Sequence, residues 1–157
     1  MCSIPNCIYL RILFSTTNSN AGSTANFFLW DPVNYSGYLA NVGDTRSVVS
    51  SGGIAVDITR DQKASDPYEI SRIIKRGGYV SNDRVLGILA VGRAFGDASL
   101  KPPVQGHKSL TAEPEITAYQ PSSNDTFIIM ATDGLWDVLS SQVNSGLLFY
   151  DFEYRIL

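Results

Sequence analysis

The sequence predicts an α+β domain whose sheets are mainly antiparallel. Three observations carry that expectation. Candidate strands clearly outnumber candidate helices, the strands fall in pairs separated by short turn-forming stretches, and one helix alone has a full set of start and stop signals.

The elements follow in order. Residues 15–24 are Ser, Thr, Asn, Ala and Gly, the composition of a loop or linker after an N-terminal leader. Residues 27–30 form a short apolar run suited to a buried strand. Residues 31–37 carry Asp, Pro, Asn, Ser and Gly and read as a turn, so 38–42 becomes the second strand of a hairpin. Residues 47–50 and 54–58 flank Ser51-Gly52-Gly53, a second hairpin whose glycines supply the positive φ. Helix signals converge on residues 67–76: Asp66 as N-cap, Pro67 at the first helical position and Glu69 three residues past the cap. Ile70, Ile73 and Ile74 share a face there, Lys75 and Arg76 suit the negative end of the dipole, and Gly77-Gly78 stop the helix. Residues 85–91 are apolar but interrupted by Gly87, and read as a strand or as a strand running into a helical turn. Residues 115–119 read as a strand. Residues 127–131 are the strongest strand signal, a continuous apolar run of the kind buried on both faces, ending at Thr132-Asp133-Gly134. A further helix is expected to begin over 136–139, and 143–157 is apolar and aromatic without caps.

Composition narrows the function classes. A chain of 157 residues is the size of one domain and hides about two-thirds of its extended surface. With 44% apolar and 17% charged residues it is globular rather than disordered. A formal net charge of −3 gives no reason to expect nucleic acid or an anionic membrane as partner. Cys2 and Cys7 stand together at the N-terminus, without the spacing of a zinc pair and far from the single histidine, His107, so two free thiols in a reducing compartment are expected. Residues 8–14 are apolar but too short to span a bilayer and are broken by Arg11; an intracellular protein, cytoplasmic or nuclear, is the expectation.

Three aspartates stand where a hard cation could be gripped. Asp133 follows the strongest strand and precedes Gly134; a carboxylate at a strand end suits Mg²⁺ or Mn²⁺, which want oxygen donors at fixed positions. Asp44 follows an apolar strand and Gly43, which allows close backbone approach. Asp97 ends Gly92-Arg93-Ala94-Phe95-Gly96-Asp97. Each has a plainer reading, as a turn residue for Asp133 and Asp44 and as a cap for Asp97. Arg84 and Arg93 have the geometry to hold a phosphate bidentately, although such arginines more often pair with carboxylates. Composition and spacing by themselves stop at an antiparallel α+β domain with candidate cation ligands.

The strings themselves go further. Gly22-Ser23-Thr24-Ala25, Ala40-Asn41-Val42-Gly43-Asp44-Thr45-Arg46, Thr59-Arg60-Asp61-Gln62-Lys63, Arg72-Ile73 with Gly77-Gly78, Arg84-Val85-Leu86-Gly87-Ile88-Leu89-Ala90-Val91 with Arg93-Ala94-Phe95-Gly96-Asp97, Ala112-Glu113-Pro114-Glu115-Ile116, and Ala131-Thr132-Asp133-Gly134-Leu135-Trp136-Asp137-Val138 occur in this order. Together they resemble the metal-dependent protein phosphatase family of type 2C, over residues 22–142. The resemblance implies an antiparallel β-sandwich flanked by helices (αββα). It implies hydrolysis of phosphoserine and phosphothreonine in protein substrates by a water activated on two Mn²⁺ or Mg²⁺ ions. By the same resemblance Asp133 is a ligand of the metal centre, Asp44 belongs to a further metal and Asp97 has a supporting role. Gly43, Arg84, Gly87 and Gly134 shape the structure or a flap near the site.

The sequence departs from the family pattern in ways that carry their own expectations. The family's early acidic motif, its Asp-Gly-His-Gly-Gly string and its closing Asp-Asn segment have no counterpart here, Gln62 stands where the family has histidine, and Gly92 where it has serine. Residues 22–142 therefore read as an incomplete domain between a leader, 1–21, and a divergent tail, 143–157. A partial chain that is inactive by itself is expected, with a catalytically dead module that binds a protein or phosphopeptide as the alternative.

Overall fold

The computed structural model describes residues 20–102, 106 and 109–143; most of the predicted leader and tail lie outside these residues. The chain divides into two units.

The first unit takes the described parts of Met1–Ala25, Val42–Asp44 and Asp61–Glu115. Its helix α1 (Pro67–Lys75) is started and stopped as its sequence dictates. Asp66 caps it, Oδ1 accepting from the Tyr68 N–H at 2.7 Å. At the other end Gly77 is left-handed (φ 87°), and the N–H groups of Gly77 and Gly78 return to the carbonyls of Ile74 and Ile73, each at 3.0 Å, closing a Schellman motif. The buried face takes in only part of the expected isoleucine stripe. Glu69 and Ile73 are fully buried whereas Ile74 is 59% exposed. The face is rotated because the helix turns the Glu69 carboxylate inward.

After α1, strands β6 (Val80–Ser81) and β7 (Arg84–Val85) pair antiparallel around Asn82 and Asp83, both left-handed, as a two-residue hairpin turn requires. Of the two readings of residues 85–91, a strand or a strand running into a helical turn, the continuous strand does not form: β7 runs into a turn, left-handed rather than helical at Leu86 and Gly87 (φ 55° and 72°), and the chain folds back so that Val85 bridges Leu89. Strand β1 (Gly22–Ser23) pairs antiparallel with β8 (Phe95–Gly96), and a 3₁₀ turn follows at Ala98–Leu100. Two small apolar clusters hold the unit, one of Val91, Ala94, Leu100 and Leu110, the other of Ala64, Ile73 and Val85.

The second unit takes the described parts of Asn26–Asn41, Thr45–Arg60 and Ile116–Leu157. Strands β2 (Ala25–Asp31), β3 (Ser36–Val42) and β9 (Glu115–Tyr119) make a sheet in the order β2-β3-β9. Strands β4 (Arg46–Ser51), β5 (Ile54–Asp57) and β10 (Asp125–Ala131) make an antiparallel sheet in the order β10-β4-β5. The turn between β2 and β3 closes on Asp31, whose Oδ1 accepts from the N–H groups of Val33 and Asn34. The turn between β4 and β5 uses Gly52 and Gly53 (φ 57° and 79°), as expected. Leu39 of β3 and Val48 of β4 are fully buried, and Ser47 Oγ donates to Asn26 Oδ1 at 3.0 Å, tying the two sheets.

Strand β10 corrects one expectation. It forms, but it is only partly covered along its length, with Met130 36% exposed. The residues buried on both faces belong to β4, because β4 is the central strand and, among the described residues, β10 is an edge. No helix among the described residues is long and apolar enough to cross a membrane.

A Cβ at Gly53 would meet nothing within 4 Å, so Gly53→Ala tests backbone strain alone. We expect a loss of about 1–2 kcal/mol, read as a lower urea midpoint at unchanged m-value, with Gly53→Asn close to wild type.

Candidate functional site

In the first unit, the turn that carries Asp44 is built on Gly43. Gly43 has φ +94°, and a Cβ there would lie 3.1 Å from the Arg93 carbonyl oxygen and overlap the Thr24 side chain. Only glycine satisfies both demands. The Gly43 N–H donates to Gln62 Oε1 at 2.8 Å, and the Gln62 N–H donates back to the Gly43 carbonyl at 2.9 Å. Asp44 is 9% exposed at the end of this clasp.

Beside it lies a buried ion network that sequence reasoning missed. The Glu69 side chain is 1% exposed and pairs with Arg72 at 2.8 Å and Arg93 at 2.7 Å. The arginines spend their remaining donors on backbone. Arg72 reaches the Ser109 and Gly92 carbonyls, each at 2.6 Å, and Arg93 reaches the Glu113 carbonyl at 3.0 Å. Burial opposes ionisation of Glu69, but the hydrogen bonds and charges of Arg93 and Arg72 outweigh it, and its pKa is lowered. The signal available in the sequence was Glu69 in the first turn of α1 with Arg72 three residues on; nothing local says that Arg93 joins them. Arg93 is thus a structural partner of a carboxylate. Arg84, exposed, donates to the Ile88 carbonyl at 2.8 Å across the turn made by Leu86 and Gly87. Gly92 is required by the same network: a Cβ there would sit 2.6 Å from Glu69 Oε2 and 2.9 Å from Glu69 Cβ.

Asp97 caps the 3₁₀ turn in a left-handed conformation (φ 47°), without a side-chain capping bond. Its N–H donates to the Ala21 carbonyl at 3.2 Å, and its carboxylate lies against Gly22, where any Cβ would overlap it. Burial raises the Asp97 pKa, and the positive charge of Lys101 works against that rise. The Lys101 ammonium is itself held by the Ala94 and Gly96 carbonyls, each at 2.6 Å.

Asp133 belongs to the second unit. It is not in a glycine turn after the strand. Helix α2 (Asp133–Trp136) begins on it, three residues earlier than the expected start, and Gly134 lies inside the helix without positive φ. The physical reason is Trp136. Its indole is 7% exposed, its Nε1–H donates to the Ala131 carbonyl at 2.9 Å, and the Arg46 guanidinium lies 5.5 Å above the ring. Burying that ring folds the chain back at once after β10, leaving the Asp133 side chain exposed in the first helical turn.

The predicted site residues therefore fall in different units: Asp44, Asp97, Gly43, Arg84 and Gly87 in the first, Asp133 and Gly134 in the second. Among the described residues, no three His, Cys, Asp or Glu side chains cluster as a metal ion's shell would need. The aspartates offer oxygen donors of the right hardness, but the described donor set does not amount to a divalent-cation centre.

Comparison with known proteins gives a consistent picture. A family model described as protein phosphatase 2C matches residues 10–147. Probable protein phosphatase 2C 8 of Oryza sativa subsp. japonica is 42% identical over 131 residues, covering 82% of this chain and 30% of the relative. Probable protein phosphatase 2C 59 of Arabidopsis thaliana is 41% identical over 139 residues, covering 85% of this chain and 42% of the relative. The chain thus spans less than half the length of these relatives. Among solved structures, a C. elegans sex determining protein superposes with TM-score 0.65 at 31% identity, over 77% of this chain and 29% of that one. A phosphatase from a pathogenic strain of Toxoplasma gondii superposes with TM-score 0.53 at 33% identity, over 65% and 32%.

The buried network supplies a stability test. Because the Glu69 pKa is lowered on folding from its ordinary value near 4.5, its contribution is fully present above that value and is lost as pH falls through the folded pKa. Glu69→Gln leaves two arginines half-buried around a neutral amide, and we expect a loss of about 3–5 kcal/mol at pH 7. Denaturant titrations of both proteins should show the gap closing as pH drops below 4.5.

Proposed function

The chain belongs to the protein phosphatase 2C family, and on that premise we propose that it serves a metal-dependent protein serine/threonine phosphatase acting on phosphorylated proteins. The observation that carries this reading is the family match over residues 10–147, which takes in Asp44, Asp97 and Asp133 together. Under it, Asp133 and Asp44 are oxygen ligands for Mn²⁺ or Mg²⁺, and Asp97 supports them. Gly43, Arg84, Gly87 and Gly134 shape the backbone around these groups. The structure's own part in this is positional: the Gly43 clasp presents Asp44, the Glu69 network anchors the segment leading to Asp97, and the Trp136 indole seats the helix that begins with Asp133. A location inside the cell is part of the same proposal.

A second reading has one observation in its favour. The described residues bring no three acidic side chains together, which suits a phosphatase-like module that binds a protein or phosphopeptide without turnover.

Two measurements separate these readings. The purified 157-residue chain, assayed for Mn²⁺-dependent hydrolysis of p-nitrophenyl phosphate, is expected to show no turnover above background. Residues 22–142 grafted over the matching segment of the rice relative are expected to give a Mn²⁺-dependent phosphatase. Asp133→Ala in that chimera should cost more than the roughly 10–100-fold that even an outer-shell partner is worth. A folded but inactive chimera would favour the binding module, and robust turnover by the chain alone would overturn the deficit of donors.

A further inference from the structure

Gln62 is fully buried, and its backbone and side chain tie three segments of the first unit together. Its N–H and Oε1 pair with the carbonyl and N–H of Gly43, at 2.9 and 2.8 Å. Its carbonyl accepts from the Gly92 N–H at 2.7 Å, and its Nε2 donates to Glu115 Oε2 at 3.3 Å. The two ends of the side chain therefore face opposite demands. Oε1 accepts from the Gly43 N–H, and Nε2 donates to the Glu115 carboxylate. Among side chains of this reach, glutamine meets both, and so does a neutral histidine; a carboxylate or an apolar chain meets one or neither.

We infer that Gln62 is a positioning residue: the polarity of its amide fixes the Gly43 turn and hence the point from which the Asp44 carboxylate departs. Its importance to catalysis rests on the phosphatase reading of Asp44 given above. The charged groups around the amide are Glu115, which faces it, Arg93 at 3.8 Å from Glu115, its chain neighbours Asp61 and Lys63, and Asp44 beyond Gly43. The amide has no proton to gain or lose near neutral pH, so glutamine clasps the turn in a way that histidine would release on acidification. A second proton on an imidazole ring removes its acceptor and so breaks the bond to the Gly43 N–H.

The test is amide hydrogen exchange at Gly43 by NMR, in the full 157-residue chain, at pH 8 and 5.5 with intrinsic rates removed. In Gln62→Met, protection at Gly43 should fall about tenfold, the value of one buried hydrogen bond, while the amides of α1 keep theirs. Gln62→His should match wild type at pH 8 and fall to the methionine level at pH 5.5. If Gln62→Met also loses α1 protection, it has unfolded, and the two pH values of Gln62→His decide. Wild-type protection at Gly43 in a folded Gln62→Met, or equal protection of Gln62→His at both pH values, overturns the inference. Asp44→Ala in the chimera with the rice relative tests the phosphatase reading separately. Unchanged Mn²⁺-dependent turnover there, beside the expected exchange pattern here, supports the positioning of the turn and sinks the metal role of Asp44.

Discussion

A carboxylate closed off from water between two guanidiniums organises the first unit. Glu69 would be costly to bury alone, since an isolated charge in a poorly polarisable interior loses its hydration without compensation. Arg72 comes from the same helix, three residues on, and Arg93 from a segment remote in sequence, so the ion pairs join local to distant structure. The donors left over on both arginines are met by backbone carbonyls at Ser109, Gly92 and Glu113. One buried charge thus fixes the face of α1, the need for glycine at 92 and the course of the chain on either side of it.

From that anchor the route to the candidate aspartates is short. The Arg93 carbonyl packs where a side chain at Gly43 would go, so the segment held by Glu69 also limits what residue 43 can be. Gln62 then joins Gly43, Gly92 and Glu115 by hydrogen bonds. The turn bearing Asp44 is held by polar contacts and by the lack of a Cβ at Gly43. This is the kind of rigid support that a functional carboxylate needs, because a loosely held donor loses in ordering entropy what it gains in binding.

Much of the fold was legible because its signals are local. Capping by Asp66, the Gly77-Gly78 stop and the Gly52-Gly53 hairpin depend on a few adjacent residues, and each formed where the sequence put it. The misses share a cause. Apolarity in residues 127–131 signals burial, yet burial depends on a strand's place in its sheet, and β4 takes the centre. The isoleucine stripe marks the face of α1 only in part: Ile73 is buried, but helical periodicity counts apolar side chains and cannot see that Glu69 turns inward to a partner far along the chain. Helix α2 starts at Asp133 because a tryptophan must be buried, a demand of tertiary structure that Thr132-Asp133-Gly134 does not announce. Candidate aspartates could be named from motif resemblance; the residues that hold their segments, Glu69 and Gln62, could not be told from ordinary polar positions.

The aspartates also show why recognising a motif and finding a site are different achievements. A motif fixes the backbone around one carboxylate, and Asp44 and Asp133 each stand in such a setting, one on a glycine turn and one at a helix start. A divalent cation asks for something no single motif contains: several oxygens at one point, with enough negative charge to replace hydration. Convergence is a property of how segments are arranged, and among the described residues no three such side chains cluster. What the sequence of this chain encodes most fully is the support on which such carboxylates stand, since a turn without a Cβ, a buried ion pair and a sequestered indole are each specified by the residues that form them.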